Sequence, residues 1–162
     1  MTIYIVRHAW AEDRDESVYP NDDLRPLARK GRKRFRRLAR RLAKRGFDVG
    51  HIATSPLVRC RQTADILAEY AASEPLIAEL DALRPGSQLE PLLEWTGKQD
   101  GQDVAWVGHA PDVEQLAAVL IGGAQAMIGF DKGAVAAIAF EGPPVTGKGV
   151  LRWLAVAELL KC

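Results

Sequence analysis

The chain opens on a short apolar, β-branched run, Thr2 to Val6, which predicts a buried strand. A polar stretch from Trp10 to Pro26 follows, carrying six acids and no periodicity, and reads as a long irregular connection. From Ala28 to Arg45 the apolar residues Phe35, Leu38, Ala39, Leu42 and Ala43 return at helical spacing. Gly46 stops that helix, and its arginines fan over the outer face. His51 to Thr54 predicts a second short strand, closed by Ser55-Pro56, and Leu57 to Tyr70 a second helix with Ala64, Leu67, Ala68 and Ala71 along one side. Around Glu79 the bracketing Pro75, Pro85 and Gly86 predict irregular chain. Leu89 to Trp95 reads as a short helix, Val104 to Val107 as a buried strand, and Asp112 to Leu120 as a helix ended by Gly122-Gly123. Ala134 to Phe140 and Val150 to Val156 predict an antiparallel strand pair across a Gly/Pro turn region.

Strands alternating with helices imply an α/β fold: one three-layer α/β/α domain over residues 1–162, with helices on both faces of a mainly parallel sheet. In such a sheet ligands bind where strands hand over to helices, at the carboxyl edge. Three of these junctions carry reactive groups: Arg7-His8, Ser55 through Arg59, and Gly108-His109. Residues about 50 positions apart would thereby meet. Two imidazoles and two guanidiniums suit a phosphate dianion, because the planar fork of arginine matches phosphate oxygens. A cation would be repelled by Arg7 and Arg59, and the three histidines show no metal-ligand spacing, so no metal or other cofactor is expected. Cys60 has no histidine base beside it in sequence and reads as a packed helix cysteine.

Composition changes this picture in one respect. At 162 residues, 48% hydrophobic and 27% charged, the chain is an ordinary globular one. It lacks a signal-peptide layout and a membrane-length apolar run, and its two cysteines suggest reduced thiols, so a cytoplasmic location without membrane attachment is expected. The net charge of +1, however, conceals an asymmetry. Arg29 to Arg45 holds 11 of the 22 Lys and Arg and no acid, which leaves 11 bases against 21 acids elsewhere, a formal −10. The plainer reading is that this basic face pairs with the protein's own acidic surface. The alternatives are nucleic acid or an acidic partner protein.

The residues at the three junctions also resemble a known family. Arg7-His8-Ala9 at the end of the first strand is similar to the Arg-His-Gly motif of the histidine phosphatase superfamily. Ser55-Pro56-Leu57-Val58-Arg59-Cys60-Arg61-Gln62-Thr63-Ala64 resembles its Ser-Pro-x-x-Arg-Ala-x-Gln-Thr-Ala stretch, and Gly108-His109-Ala110-Pro111 its Gly-His-x-Pro segment. The length and the segment Arg25-Pro26-Leu27-Ala28-Arg29-Lys30-Gly31 resemble the SixA-type phosphohistidine phosphatase branch, which has no large cap insertion. Two departures are Ala9 for glycine and Ala28 for threonine. The second removes a helix cap worth about 1 kcal/mol.

The resemblance implies a phosphoglycerate mutase-like fold and a phosphatase in which His8 is the nucleophile, with Arg7, Arg59 and His109 holding the phosphoryl oxygens. A nearby pair of arginines should keep His8 neutral. Glu79 stands where much of the superfamily has its catalytic acid, with Asp81 behind it, although phosphohistidine has an intrinsically good leaving group and needs less help. Arg25 would either add a phosphate contact or form a salt bridge with nearby acids. Trp10 and Tyr19 would line the entrance or pack in the core, Arg61 would face solvent, and His51 is incidental. The expected partner is a phosphorylated protein carrying phosphohistidine, or else a small phosphate ester or anhydride. A reading from another class is a non-enzymatic phosphate- or nucleic-acid-binding module using the 29–45 helix. Nucleic acid is disfavoured there, because no exposed aromatic interleaves the basic residues.

Overall fold

Two adjacent, mainly apolar strands lie at the centre of the molecule. In the computed structural model, which describes residues 1–123 and 126–162, these are β1 (Thr2–Arg7) and β4 (Val104–Gly108). They pair in parallel, with Ile3 opposite Val104 and Arg7 opposite Gly108. Every residue of β4 is buried, the pattern of a strand covered on both faces. The remaining strands are β2 (His51–Thr54), β3 (Leu76–Glu79), β5 (Val135–Ala139) and β6 (Val150–Ala155). The sheet order is β3-β2-β4-β1-β5-β6, the first four strands parallel and β5 antiparallel to both its neighbours.

Side chains alternating along each strand feed two cores. On one face Tyr4, Val6, Ile52, Ala105 and Val107 meet Phe35, Leu38 and Leu42 of α1 (Arg29–Ala43), and Cys60, Ala64 and Leu67 of α2 (Val58–Tyr70). On the other, Ile3, Ile5, Ala53 and Trp106 meet Leu92 of α3 (Leu89–Gly97), and Val113, Leu116 and Leu120 of α4 (Asp112–Ile121). The result is a three-layer α/β/α arrangement, as the alternation predicts. The Trp106 indole N–H, buried in the second core, donates to the Thr96 hydroxyl (3.1 Å).

The structure departs from the sequence reading in two places. The segment around Glu79 is not irregular: β3 pairs with β2 from His51–Leu76 to Thr54–Glu79. β3 is a four-residue edge strand with Leu76 70% exposed, so it shows no apolar alternation. Nor is the 10–26 connection structureless. Ala11 bridges Leu27, and Asp22–Leu24 forms a 3-10 turn whose Asn21 side chain accepts the Asp23 N–H. These contacts run through backbone groups, which leave no periodic trace in a sequence. α1 begins at Ala28 with no side-chain cap, and the chain leaves it through Gly46 at φ +89, a conformation that favours glycine.

Candidate active site

The order β2-β4-β1 places three junctions side by side at the carboxyl edge. Because Thr54 is level with Val107, and Gly108 with Arg7, Ser55 comes level with Gly108 and Arg7, one position short of His109 and His8, which lie side by side. The rings of His8 and His109 stand 5.3 Å apart, edge to face. His109 is buried, its Nε2 3.0 Å from the Ser55 hydroxyl.

The Nδ1 of His8 lies 2.7 Å from the Ala9 carbonyl oxygen. A carbonyl can only accept, so Nδ1 carries the proton and the lone pair resides on Nε2. The imidazole pKa falls from 6.5 to about 4, chiefly through burial. The Ala9 bond opposes this, and the charges of Arg59, Arg7 and Arg25 add to it. Desolvation therefore outranks the arginines that the sequence reading held responsible. His109 is lowered to about 3, again mainly by burial, then by His8 and Arg59. Both rings are neutral near pH 7.

The two arginines are held by one end each. Arg7 Nη1 donates to the Phe130 carbonyl (2.6 Å). Arg59 Nη1 donates to the Asp22 carbonyl (2.9 Å), and its Nη2 meets the Asp22 carboxylate at 3.1 Å. The Nε of each is buried and has no hydrogen-bond partner among the described residues. Buried donors are almost always satisfied, so two unsatisfied guanidinium N–H groups beside a neutral imidazole form an arrangement suited to an oxyanion.

Residues that the sequence reading passed over hold these groups in place. The Thr63 hydroxyl accepts the Ala9 N–H (3.1 Å) and donates to the Arg59 carbonyl (2.7 Å), tying the backbone after His8 to α2. The Gln62 side chain accepts the Leu27 N–H (2.8 Å), tying the 10–26 connection to the same helix. Asp22 grips both Arg59 and Arg25, whose Nε lies 2.7 Å from its Oδ1. Gln62 and Thr63 sit inside a recognisable motif, whereas Asp22 is one of six acids in its stretch and carries no local signal.

Other candidates fall elsewhere. Glu79 ends β3, three strand positions from β1 and so about 14 Å across the sheet. It is half exposed and paired with Arg61 (2.9 Å). Arg61 thus holds Glu79 and Asp65 rather than simply facing solvent. Asp81 is 86% exposed and paired with Arg84. Arg25 takes the salt-bridge alternative, to Asp22, while its charge still reaches His8. Trp10 packs against the first core under the guanidinium of Arg34 (4.3 Å), and half-buried Tyr19 lies on the turn that begins at Asp15. His51 stacks edge-on against Trp95, at the opposite end of β2 from Ser55. Cys60 has no histidine beside it in sequence but has one in space: its Sγ lies 3.4 Å from His109 Nε2. Burial pushes that thiol up to about 12, so it is no nucleophile near neutral pH. Among the described residues no three His, Cys, Asp or Glu side chains converge as metal ligands, and no helix is long and apolar enough to cross a membrane.

Comparison with known proteins gives the family and the fold. Residues 3–84 match the sequence profile of the histidine phosphatase superfamily (branch 1). An uncharacterized protein of Picosynechococcus sp. strain PCC 7002 is 38% identical over 120 residues, which cover 72% of this chain and 71% of the relative. Among solved structures, the protein histidine phosphatase SixA complexed with tungstate superposes with a TM-score of 0.85 at 23% identity, covering 99% of each chain. The alpha-ribazole phosphatase of Shigella flexneri superposes with 0.72 at 15% identity, covering 97% of each.

Proposed function

Since the chain belongs to branch 1 of the histidine phosphatase superfamily, we propose that His8 is its nucleophile and that its substrate is phosphohistidine in a protein. The observation that carries this reading is a buried imidazole with its lone pair on Nε2, under the charges of Arg7 and Arg59, each of which keeps a buried Nε–H unpartnered among the described residues. In the first step the Nε2 lone pair forms an N–P bond as the bond to the leaving group breaks. In the second, water attacks phosphorus, the N–P bond breaks, and phosphate departs with the water's oxygen. Dividing one displacement into two is what covalent catalysis contributes. Arg7, Arg59 and His109 hold the equatorial oxygens, where transition-state charge accumulates, and loss of one such donor costs about 10²–10³-fold in rate.

Two features favour phosphohistidine over an ester. An alkoxide leaving group needs a proton donor, yet Glu79 is tied to Arg61 on an edge strand. Asp22, the carboxyl nearest Arg59, is held below the usual carboxylate range by its hydrogen bond from Arg25 and so stays ionised. An imidazole needs less help, because a ring protonated on its other nitrogen leaves as the neutral base. The tungstate-bound SixA is similar in fold, which is consistent with an oxyanion at this edge. The second reading, a small ester or anhydride as substrate, draws on the likeness to the alpha-ribazole phosphatase, which also runs over nearly the whole chain.

Turnover of a phosphohistidine protein, compared with sugar phosphates and nucleotides at equal concentration, tests the choice. Preference for the phosphohistidine protein in kcat/KM is expected. Cleavage confined to the small esters would overturn it.

A further inference from the structure

Among the described residues the basic face of α1 pairs with the protein's own acids at one position only, contrary to the plainer expectation from sequence. Of the eleven bases between Arg29 and Arg45, Arg36 meets Glu69 (3.2 Å). Arg34 lies over Trp10 and donates to the backbone oxygen of Cys162 (3.0 Å). Among the described residues the other nine have no carboxylate within ion-pair distance. Arg29, Lys33, Arg37, Arg40 and Lys44 are all exposed, and at 100° per residue they share a stripe about 80° wide and about 22 Å long.

The stripe is costly to keep. Bases four residues apart, such as Lys33 and Arg37, or Arg36 and Arg40, repel one another along the helix. The first turn carries bases and no acid, which the helix dipole also disfavours. The dipole favours only the bases at the far end, Arg40 and Arg41 of the last turn, so folding does not account for the rest of the stripe and its use lies outside the fold.

Its position says what that use is. α1 starts beside the candidate active site: the Ala28 N–H donates to the Trp10 carbonyl (2.9 Å), two residues past His8. Gly31 presses so closely on Trp10 that a Cβ there would collide with the same carbonyl. The stripe therefore leads away from the row of junction residues across the surface. We propose that it is a docking surface for an acidic face of the phosphorylated substrate protein, which it holds while His8 reacts. This rests on the phosphohistidine reading above. An acidic protein fits better than nucleic acid for two reasons. The rest of the chain is formally −10 and would repel a polyanion extending past the helix. The stripe also offers no stacking platform, since Phe35 is fully buried and Trp10 is covered by Arg34.

Two synthetic phosphohistidine peptides test the proposal. One carries an Asp/Glu tract of about seven residues, enough to span about 22 Å when extended, and the other an Asn/Gln tract of equal length. Wild type should favour the acidic peptide about tenfold in kcat/KM, through KM, with the preference fading at high salt. In K33E/R37E/R40E, all exposed positions, that preference should vanish while turnover of phenyl phosphate stays unchanged. Anisotropy with the unphosphorylated peptides reads docking without chemistry. Tighter binding of the acidic peptide to wild type than to the variant, with neither phosphopeptide dephosphorylated, would support the surface and sink the phosphohistidine reading. Equal use of both peptides by wild type, or a preference surviving in the triple variant, would overturn the docking proposal. A DNA oligonucleotide displacing the acidic peptide at lower concentration than the peptide's own Kd would overturn it too.

Discussion

Lowering the pH from 7 to 5 should unfold this protein more readily through its two buried imidazoles, well before its carboxylates matter. The folded state holds His8 near 4 and His109 near 3, against 6.5 when exposed. A base depressed in this way is neutral in the fold and charged in the unfolded chain over the interval between its two pKa values. The stability it contributes is present above 6.5 and is lost as pH falls toward the folded value. For His8 alone, the linkage relation gives a loss of about 2 kcal/mol between pH 7 and 5, and about 3 kcal/mol by pH 4. His109 contributes similarly, although the two do not add independently, because each charge would repel the other across 5.3 Å. Asp22, held low by Arg25, acts in a different window: its stabilisation fades only as pH falls below the ordinary carboxylate value. Urea unfolding at several pH values between 7 and 5, on wild type and on His8→Asn, isolates the effect. The variant should lose about 2 kcal/mol less over that range. Parallel stability curves for the two proteins would refute the claim that the fold holds His8 neutral against its solution preference. The same shift implies that turnover loses little from His8 protonation until pH approaches 4 to 5.

The supporting residues give sharper local tests. Thr63→Val strands the buried Ala9 N–H and should cost about 1–3 kcal/mol by denaturant melt, with kcat falling along with stability. Gly31→Ala drives a methyl into the Trp10 carbonyl and should cost about 1–3 kcal/mol, although alanine is the better helix former. Glu79→Gln should leave phosphohistidine turnover within a few-fold of wild type, whereas removing a positioned general acid would cost at least about 10².

The central elements were readable because their apolar spacing is unambiguous. β1 and β4 are continuous apolar runs, and of the five residues that mark α1, Phe35, Leu38, Ala39 and Leu42 are buried and Ala43 is partly exposed. The convergence of His8, Ser55 and His109 followed from parallel topology alone, since it requires only that each junction sit at the same edge. What escaped the sequence is whatever depends on which backbone atom meets which side chain. β3 is short and half exposed, so nothing in Leu76-Ile77-Ala78-Glu79 distinguishes an edge strand from a loop, and that placement carries Glu79 away from His8. Asp22 emerged as the clasp on Arg59 only because the turn at 22–24 brings it there. The contact between Cys60 and His109 spans 49 positions and has no pattern. Charge asymmetry was visible, yet whether the bases of α1 find partners is a question of three-dimensional placement, and most do not.

Rapid acid-free quenching of wild type mixed with 32P-labelled phosphohistidine peptide, followed by mapping of the labelled residue, addresses the mechanism most directly. Label should appear on His8 during turnover, survive base, be lost in acid, and be absent from His8→Asn. Turnover by wild type with no protein-bound label under any quench, or equal labelling of His8→Asn, would contradict the account.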